Sequence, residues 1–245
     1  MSGIVSGNIH LDLSPGELDN ILCFLGYGHI SAPVWFVGLE EGLAGMSEED
    51  TIHNLKARAH FNPVMDLREA HLRLMRAGRP IDVELDPPRT QVWQYMAKIM
   101  LARSGCKEWK SNRAVKEYIK NNLGRSGGET FLTELSPVPT RRSNDSTWAV
   151  EFARLKPGLD DIVAARCIRL KATLEAMVPR PLVICYGFGS EMRFAHLLGE
   201  EWVSLGRQIK AAHHGQYLLL PFFGNGQMSH AVIESLMSLG ILTNQ

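Results

Sequence analysis

The sequence predicts an α/β protein: a three-layer α/β/α sandwich around a four-stranded parallel sheet. Four short runs of β-branched, aromatic and aliphatic residues are apolar at nearly every position, which is typical of strands buried on both faces of a parallel sheet. Segments with helical spacing separate these runs, and strands that alternate with helices form one parallel sheet with right-handed crossovers. The predicted strands are 34–37, 130–135, 182–186 and 217–223.

The predicted helices lie between and around these strands. Apolar residues recur at helical spacing over 159–177 and 191–198, and a last helical pattern over 231–239 ends at a glycine, which favours a helix cap. The segment from Asp50 to Leu123 is predicted to be a long, mostly helical insertion that several prolines interrupt. No repeat or linker composition divides the chain, so we expect a single domain over residues 1–245 with this insertion.

Composition excludes several classes of protein. The chain has 245 residues, of which 45% are apolar and 21% charged, so it is not a disordered protein. No apolar run approaches the roughly 18 residues of a transmembrane helix, and the segment from Met1 to Ser14 does not resemble a signal peptide. The four cysteines are scattered singly. We therefore expect a soluble, cytoplasmic monomer with no metal site and no disulfide framework.

Charge allows only a local contact surface for nucleic acid. Lys+Arg 26 balance Asp+Glu 26, which argues against a protein that coats nucleic acid but permits a basic face. Two sets of residues are candidates for such a face. One is the series Lys107, Lys110, Arg113, Lys116 and Lys120, and the other is the polar segment that contains Arg141, Arg142 and Trp148. A solvated surface is the alternative explanation for both basic sets, and packing under a loop is the alternative for the tryptophan.

In open parallel sheets, ligands bind beyond the carboxyl ends of the strands, so chemistry is expected in the segments that follow the four strands. After the first strand, Gly38 and Gly42 flank Glu40 and Glu41. A carboxylate at such a turn can act as a general base or stabilise a developing cation. A solvent-exposed turn before a capped helix is the alternative explanation.

Polar residues also follow the second and fourth strands. Glu134 ends an apolar strand, where a carboxyl must be paired, protonated or facing a cavity, and a structural hydrogen-bond anchor is the alternative. Four polar residues surround the start of the last helix: Asn225, Gln227, Ser229 and His230. Free backbone N–H groups there favour an anionic group, although N-capping accounts for one of the four.

These segments together resemble the uracil-DNA glycosylase superfamily. The resemblance rests on the stretches 37–42 (Val-Gly-Leu-Glu-Glu-Gly), 132–135 (Leu-Thr-Glu-Leu), 183–190 (Val-Ile-Cys-Tyr-Gly-Phe-Gly-Ser) with 197–199 (Leu-Leu-Gly), and 219–227. They form a minority of the residues but span most of the chain, and their order and spacing carry the resemblance. It implies a monofunctional DNA glycosylase that binds DNA, with a base pocket at the strand ends and no cofactor.

The resemblance also implies roles for single residues. Glu40 stands where the family places the residue that positions water or stabilises the sugar cation, with Glu41 as its substitute. Glu134 stands where an Asn usually reads the base edge. The family's His-Pro-Ser is missing, so Asn225, Gln227 or His230 would have to donate to the departing base. The Cys-x-x-Cys pair of the branch with an iron–sulfur cluster is absent, so no cluster is expected.

Such an enzyme flips its base out of the duplex. Phe61 or Phe188 is expected to stack on the base, while Arg141 and Arg142 contact phosphates and Trp148 stacks or wedges where the base left the helix.

The position of Glu134, where the family reads the edge of the base, predicts the substrate. An ionised Glu134 accepts from the N4 amino group of cytosine and repels O4 of uracil, so the predicted substrate is a modified cytosine such as hydroxymethylcytosine or its glucosylated form. A protonated Glu134 would donate to O4 and restore uracil. An antiviral role fits the first substrate, and DNA repair fits the second.

Two other classes of function stay open. The chain is also compatible with a hydrolase or binding module for a free nucleoside or nucleotide, which zero net charge favours. A non-catalytic protein that senses a modified base is the third possibility, which the missing His-Pro-Ser favours.

Overall fold

The computed structural model describes residues 13–42, 47–82, 90–138 and 158–242. The helices in these ranges are α1 (Pro15–Cys23), α2 (Glu48–Arg58), α3 (Leu67–His71), α4 (Gln91–Arg103), α5 (Asn112–Asn121), α6 (Leu159–Ala176), α7 (Glu191–Leu198) and α8 (His230–Ser238). The strands are β1 (Gly26–Gly28), β2 (Val34–Gly38), β3 (Val64–Met65), β4 (Met75–Arg76), β5 (Arg79–Pro80), β6 (Thr130–Glu134), β7 (Leu182–Tyr186), β8 (Val203–Gly206), β9 (Ile209–Ala212) and β10 (Tyr217–Leu220). None of these helices is long and apolar enough to cross a membrane.

The α/β class is confirmed, but the prediction of a four-stranded parallel sheet is wrong. The main sheet has eight strands in the order β3-β1-β6-β2-β7-β10-β9-β8. Its four central strands are the four predicted ones, and each pairs in parallel with its neighbour. On one side β1 pairs antiparallel to β6, and on the other side β9 and β8 continue antiparallel from β10. The complete sheet is therefore mixed.

The sequence did not reveal the flanking strands because their local signals are weak. β1 is only three residues long and is bounded by glycines. The β8–β9 hairpin turns through Arg207 and Gln208, which both have positive φ, of 48° and 61°. Hairpin turns of this kind are usually built from Asn-Gly or Asp-Gly, so an Arg-Gln pair gives no turn signal.

Side-chain alternation along the central strands builds two cores. Phe36 on β2 and Ile184 on β7 face a core that also contains residues of α4, α5 and α8. Their neighbours Trp35 and Val183 face the opposite core, which contains residues of α6 and α7. Because helices cover both faces of the sheet, the side chains that point to either face are apolar. This explains why the strands are continuous apolar runs rather than alternating ones.

The segment 50–123 is less uniformly helical than expected. It contains most of α2 and all of α3, α4 and α5, but also the short strands β3, β4 and β5. β3 pairs with β1 at the edge of the main sheet, so part of this segment belongs to the central architecture. β4 and β5 form a separate two-stranded hairpin.

The strand order defines where a ligand is expected. From β2 the chain crosses to β6 on one side, and it then returns to β7 on the other side of β2. In open α/β sheets the crevice at such a reversal, beyond the carboxyl ends of the strands, is the usual ligand site. The residues at this edge are Gly38, Glu134 and Tyr186 with the segments that follow them.

Candidate functional site

A buried carboxyl lies at the centre of this edge. Glu134 Oε1 accepts a hydrogen bond of 2.9 Å from the Tyr186 hydroxyl, so the ends of β6 and β7 are joined across β2. Glu134 Oε2 is buried and has no hydrogen-bond partner among the described residues. The carboxyl lies directly over Gly38, its register partner on β2, and a Cβ there would lie 2.7 Å from Glu134 Cδ. The close approach of the two strands at this point therefore requires glycine.

The environment of Glu134 favours its neutral form. Burial is the largest cause, and it raises the pKa of this carboxyl to about 8, with smaller raising contributions from Glu41 and Glu40. The Tyr186 hydrogen bond and the Arg166 charge oppose that increase without cancelling it. At pH 7 Glu134 is therefore mostly a carboxylic acid, which can donate a hydrogen bond as well as accept one.

Arg166 is a buried cation that supports this edge from behind. It lies on α6 and is 2% exposed. Its guanidinium donates to the backbone carbonyls of Glu134 and Leu25, each at 2.9 Å, and to that of Phe24. Because these three bonds go to backbone carbonyls and a fourth, of 3.4 Å, goes to the Thr133 hydroxyl, Arg166 holds the end of β6 against the chain before β1 without bonding to the Glu134 carboxyl.

The two adjacent glutamates after β2 have different surroundings. Glu41 Oε2 accepts from Arg58 Nη2 at 2.5 Å and from the Tyr27 hydroxyl at 3.2 Å. Arg58 is buried, and its guanidinium also lies 5.8 Å from the Phe61 ring centroid. Glu40 is half-buried and has no side-chain partner among the described residues. The paired Glu41 anchors the loop, whereas Glu40 is a half-buried glutamate beside it.

Aromatic rings form a wall beside Glu134. The Tyr186 ring stacks on Phe223 with centroids 4.6 Å apart and planes inclined by 13°. Phe222 is half-buried and lies 6.3 Å from Tyr186, inclined by 29°. Gly224 packs under this ring, because a Cβ there would lie 2.6 Å from Phe222 Cε1. Phe222 is thus a half-buried aromatic residue on the same side of the sheet as the buried acid.

The segment after β10 places its predicted polar residues in two environments. Asn225, Gln227 and Ser229 are exposed, Asn225 has a positive φ of 54°, and Ser229 makes no side-chain capping bond. His230 is half-buried and turns toward α4, where its Nε2 lies 3.1 Å from Lys98 Nζ. Burial, followed by the charges of Lys98 and Lys110, lowers the pKa of His230, so its imidazole is neutral at pH 7.

Other predicted residues lie farther from the acid or outside the described residues. Phe61 is 6% exposed and packs edge-to-face on Phe24 at 5.7 Å. Phe188 packs against the α6 and α7 core, on the face of the sheet opposite to Glu134. Gly42 is exposed after the first loop. The three predicted DNA contacts, Arg141, Arg142 and Trp148, lie outside the described residues.

A cleft of about 420 Å³ lies elsewhere, at the amino end of β6. Its lining includes Asp66, which caps α3, and Arg125 and Gly128, which precede β6. Asp66 is occupied there, because its carboxylate accepts from Arg125 Nε at 2.9 Å and from the Ser126 backbone N–H at 3.0 Å. The described ranges contain no cluster of three or more His, Cys, Asp or Glu residues able to hold a metal ion.

Several site residues were not identified from the sequence. Tyr186 ends a predicted strand, so its position at the carboxyl end of the sheet was a detectable signal. Arg166 is four residues after Ile162 and four before Leu170, so a charged residue in an apolar stripe was a detectable signal. Arg58 and Lys98 carry no local signal, because their significance depends on partners far along the chain.

No protein-family model matches the chain, and searches of curated proteins and of solved structures also find no match.

Proposed function

We propose that this protein is a DNA glycosylase that hydrolyses the N-glycosidic bond of a pyrimidine flipped out of DNA. One observation carries the proposal: the buried carboxyl of Glu134, with an unpartnered oxygen, lies at the sheet edge where the strand order reverses. A buried polar atom without a partner costs stability, so a ligand that completes its hydrogen bonding is favoured. The edge of a nucleobase carries donors and acceptors that suit such a group.

Glu40 supplies the charge that the reaction needs. Cleavage of an N-glycosidic bond develops positive charge on the sugar and negative charge on the departing base. A carboxylate on the sugar side stabilises the cation and accepts a proton from the attacking water. Glu40 is the glutamate of the β2 loop with no described partner, whereas Glu41 already neutralises Arg58. Asn225 and Gln227, both exposed after β10, are available to donate to the departing base.

Phe222 is the aromatic ring that best fits stacking on the flipped base. It is partly exposed and lies on the same face of the sheet as Glu134, because both neighbour Tyr186. Phe61 is less suitable because it is buried, and Phe188 because it packs on the other face.

The protonation state of Glu134 selects the base. A modified cytosine, such as hydroxymethylcytosine or its glucosylated form, presents an amino group and requires an ionised Glu134. Uracil presents O4 and requires a neutral acid. A pKa of about 8 leaves the acid mostly neutral at pH 7, and this favours the second candidate, a uracil-DNA glycosylase.

The test is a cleavage assay on labelled oligonucleotides that contain uracil, cytosine, 5-hydroxymethylcytosine or glucosylated hydroxymethylcytosine. Alkali then cuts any abasic site. Wild type is compared with Glu40→Gln, Glu134→Gln and the control Glu175→Gln, a surface position on α6. We expect cleavage of one modified or uracil-containing strand, reduced at least about 100-fold by Glu40→Gln and unchanged in the control. Cleavage of none of the strands, or full activity of Glu40→Gln, would refute the proposal.

The pH profile of the same assay distinguishes the two substrates. If uracil is the substrate, cleavage falls as pH rises through about 8, because the acid loses the proton that it donates to O4. If a modified cytosine is the substrate, cleavage rises through the same interval. Glu134→Gln removes this dependence in either case. Binding of a modified strand without cleavage at any pH would indicate the non-catalytic sensor instead.

A further inference from the structure

Lys98 is a buried cation that no carboxylate of the described residues contacts. It lies on α4 and is 8% exposed. Its Nζ lies 3.1 Å from His230 Nε2 and 4.8 Å from the centroid of the Tyr95 ring. Buried lysines are normally paired with an acid, because an isolated charge is costly away from water. This lysine has an imidazole and an aromatic face in place of an acid.

The imidazole does not neutralise the lysine. His230 is uncharged at pH 7, since burial and two nearby ammonium groups lower its pKa, so its Nε2 accepts a hydrogen bond from Lys98. An ammonium group has three N–H donors, and one bond to His230 leaves two for another group. The pair therefore combines a net positive charge with unused donors, in surroundings that strengthen attraction to an anion.

Other basic residues lie in and after the segment that contacts His230. The Lys110 ammonium lies 5.0 Å from the centroid of the Trp109 ring, which contacts His230 edge-to-face at 5.4 Å. Lys110 is half exposed and pairs with Glu234. On α5, Arg113 and Lys116 are exposed one helical turn apart. Lys110 therefore lies close to the pair with its charge offset by Glu234, and α5 adds exposed cations farther along the chain.

The pair lies on the same side of the sheet as Glu134. Ring contacts connect the two places: Tyr186 stacks on Phe223, Phe223 lies 6.2 Å from Tyr95, and Tyr95 lies 6.3 Å from His230. The Tyr95 hydroxyl also donates to the Met228 carbonyl at 2.8 Å, which ties α4 to the segment after β10. An anion at Lys98 thus lies beyond the aromatic wall that borders the proposed base site.

We propose that Lys98 and His230 form a phosphate-binding site that holds a phosphodiester of the DNA strand whose base is flipped toward Glu134. The DNA source of this phosphate rests on the proposed glycosylase function, whereas the phosphate site itself rests only on the Lys98 geometry. Lys98 donates two charge-assisted hydrogen bonds to the phosphate oxygens while its third N–H stays on His230.

The test measures binding rather than cleavage, so it does not depend on the reaction. Fluorescence anisotropy of labelled DNA without a modified base gives the affinity between about 50 and about 200 mM salt. Calorimetric titration with inorganic phosphate measures the affinity of the protein for the free anion. The variants are Lys98→Met, which keeps the length of the side chain, Lys98→Arg, which keeps the charge, and Lys171→Met. Lys171 is a partly exposed lysine on α6, across the sheet, and removing it makes the same change in net charge.

Lys98→Met is expected to weaken DNA binding about tenfold and to reduce the slope of log affinity against log salt by about 0.9, which is one phosphate contact. Lys98→Arg is expected to restore the slope, and Lys171→Met to leave it unchanged. If Lys98→Met abolishes only the binding of inorganic phosphate, the phosphate site stands and its DNA source is refuted. If neither ligand responds to Lys98→Met, the site is refuted.

Far-UV circular dichroism shows whether Lys98→Met folds. If it does not fold, a second variant tests the same site. His230→Gln changes a half-buried residue and removes the imidazole that orients the ammonium. We expect it to weaken binding of DNA or of phosphate at least threefold, with the salt slope preserved because the Lys98 charge is still present. Unchanged affinity in His230→Gln would contradict the assigned role of the pair. Cleavage activity is recorded separately, so a failed glycosylase assay does not count against the phosphate site.

Discussion

Replacing Glu134 with Gln tests the buried acid through protein stability, whatever reaction the site performs. In the folded protein this carboxyl has a pKa of about 8, whereas an unfolded glutamate titrates near its ordinary value of 4.5. Between these two values the folded state keeps a proton that the unfolded state releases. The free energy of unfolding of the wild type therefore falls as pH rises through this interval, and the loss is complete above about pH 8.

The magnitude follows from the interval between the two pKa values. Each pH unit within it costs the wild type about 1.4 kcal/mol, so the full interval costs at most about 5 kcal/mol. Glu134 as a whole residue is half-buried although its carboxyl is buried, which makes this figure an upper limit. Gln keeps an oxygen that accepts from Tyr186 and does not titrate, so the Glu134→Gln variant lacks this contribution.

The assay is urea denaturation of wild type and variant at intervals from about pH 5 to about pH 9. Other groups titrate in this range, but they titrate in both proteins and cancel in the difference. The stability of Glu134→Gln relative to wild type is expected to rise steadily with pH. Glu175→Gln, at an exposed residue, is expected to differ from wild type by less than about 0.5 kcal/mol at every pH. A difference between Glu134→Gln and wild type that stays flat, or that falls with pH, would refute the description of Glu134 as a buried acid.

Three further variants test its surroundings. Gly38→Ala places a methyl group where the Glu134 carboxyl lies. In the same denaturation series we expect the free energy of unfolding to fall by about 1 to 3 kcal/mol and its dependence on the Glu134 proton to disappear. A variant that keeps this pH dependence would contradict the close approach of the two strands. Arg166→Met leaves three backbone carbonyls without their donor and should lower the free energy of unfolding, measured in urea, by about 3 kcal/mol. An unchanged free energy of unfolding would show that the guanidinium bonds are dispensable. Glu41→Gln leaves the Arg58 charge buried without its counter-charge and should lower the free energy of unfolding by about 3 kcal/mol. Adding Arg58→Met should recover part of that loss. Strictly additive losses in this double-mutant cycle would contradict the coupling of the two residues.

The predicted core of the fold agrees with the structure because its signals are local. Apolar runs at 34–37 and 182–186 became adjacent central strands, and the glycines and carboxylates after them were assigned correctly to the ends of strands. The outer strands were missed for the opposite reason. β1 and β3 are too short to show a period, and the β8–β9 turn uses residues that do not favour positive φ.

For the candidate site, residue type and position along the chain determined which groups are present at the sheet edge: two glutamates between glycines after β2 and one at the end of β6. Only the tertiary structure decided their chemical states. Glu41 is paired because Arg58 reaches it from α2, and Glu134 is an acid because burial outweighs its contacts with Tyr186 and Arg166. Charge states depend on distances between segments far apart in the chain, and those distances are a property of the packed fold rather than of any local pattern.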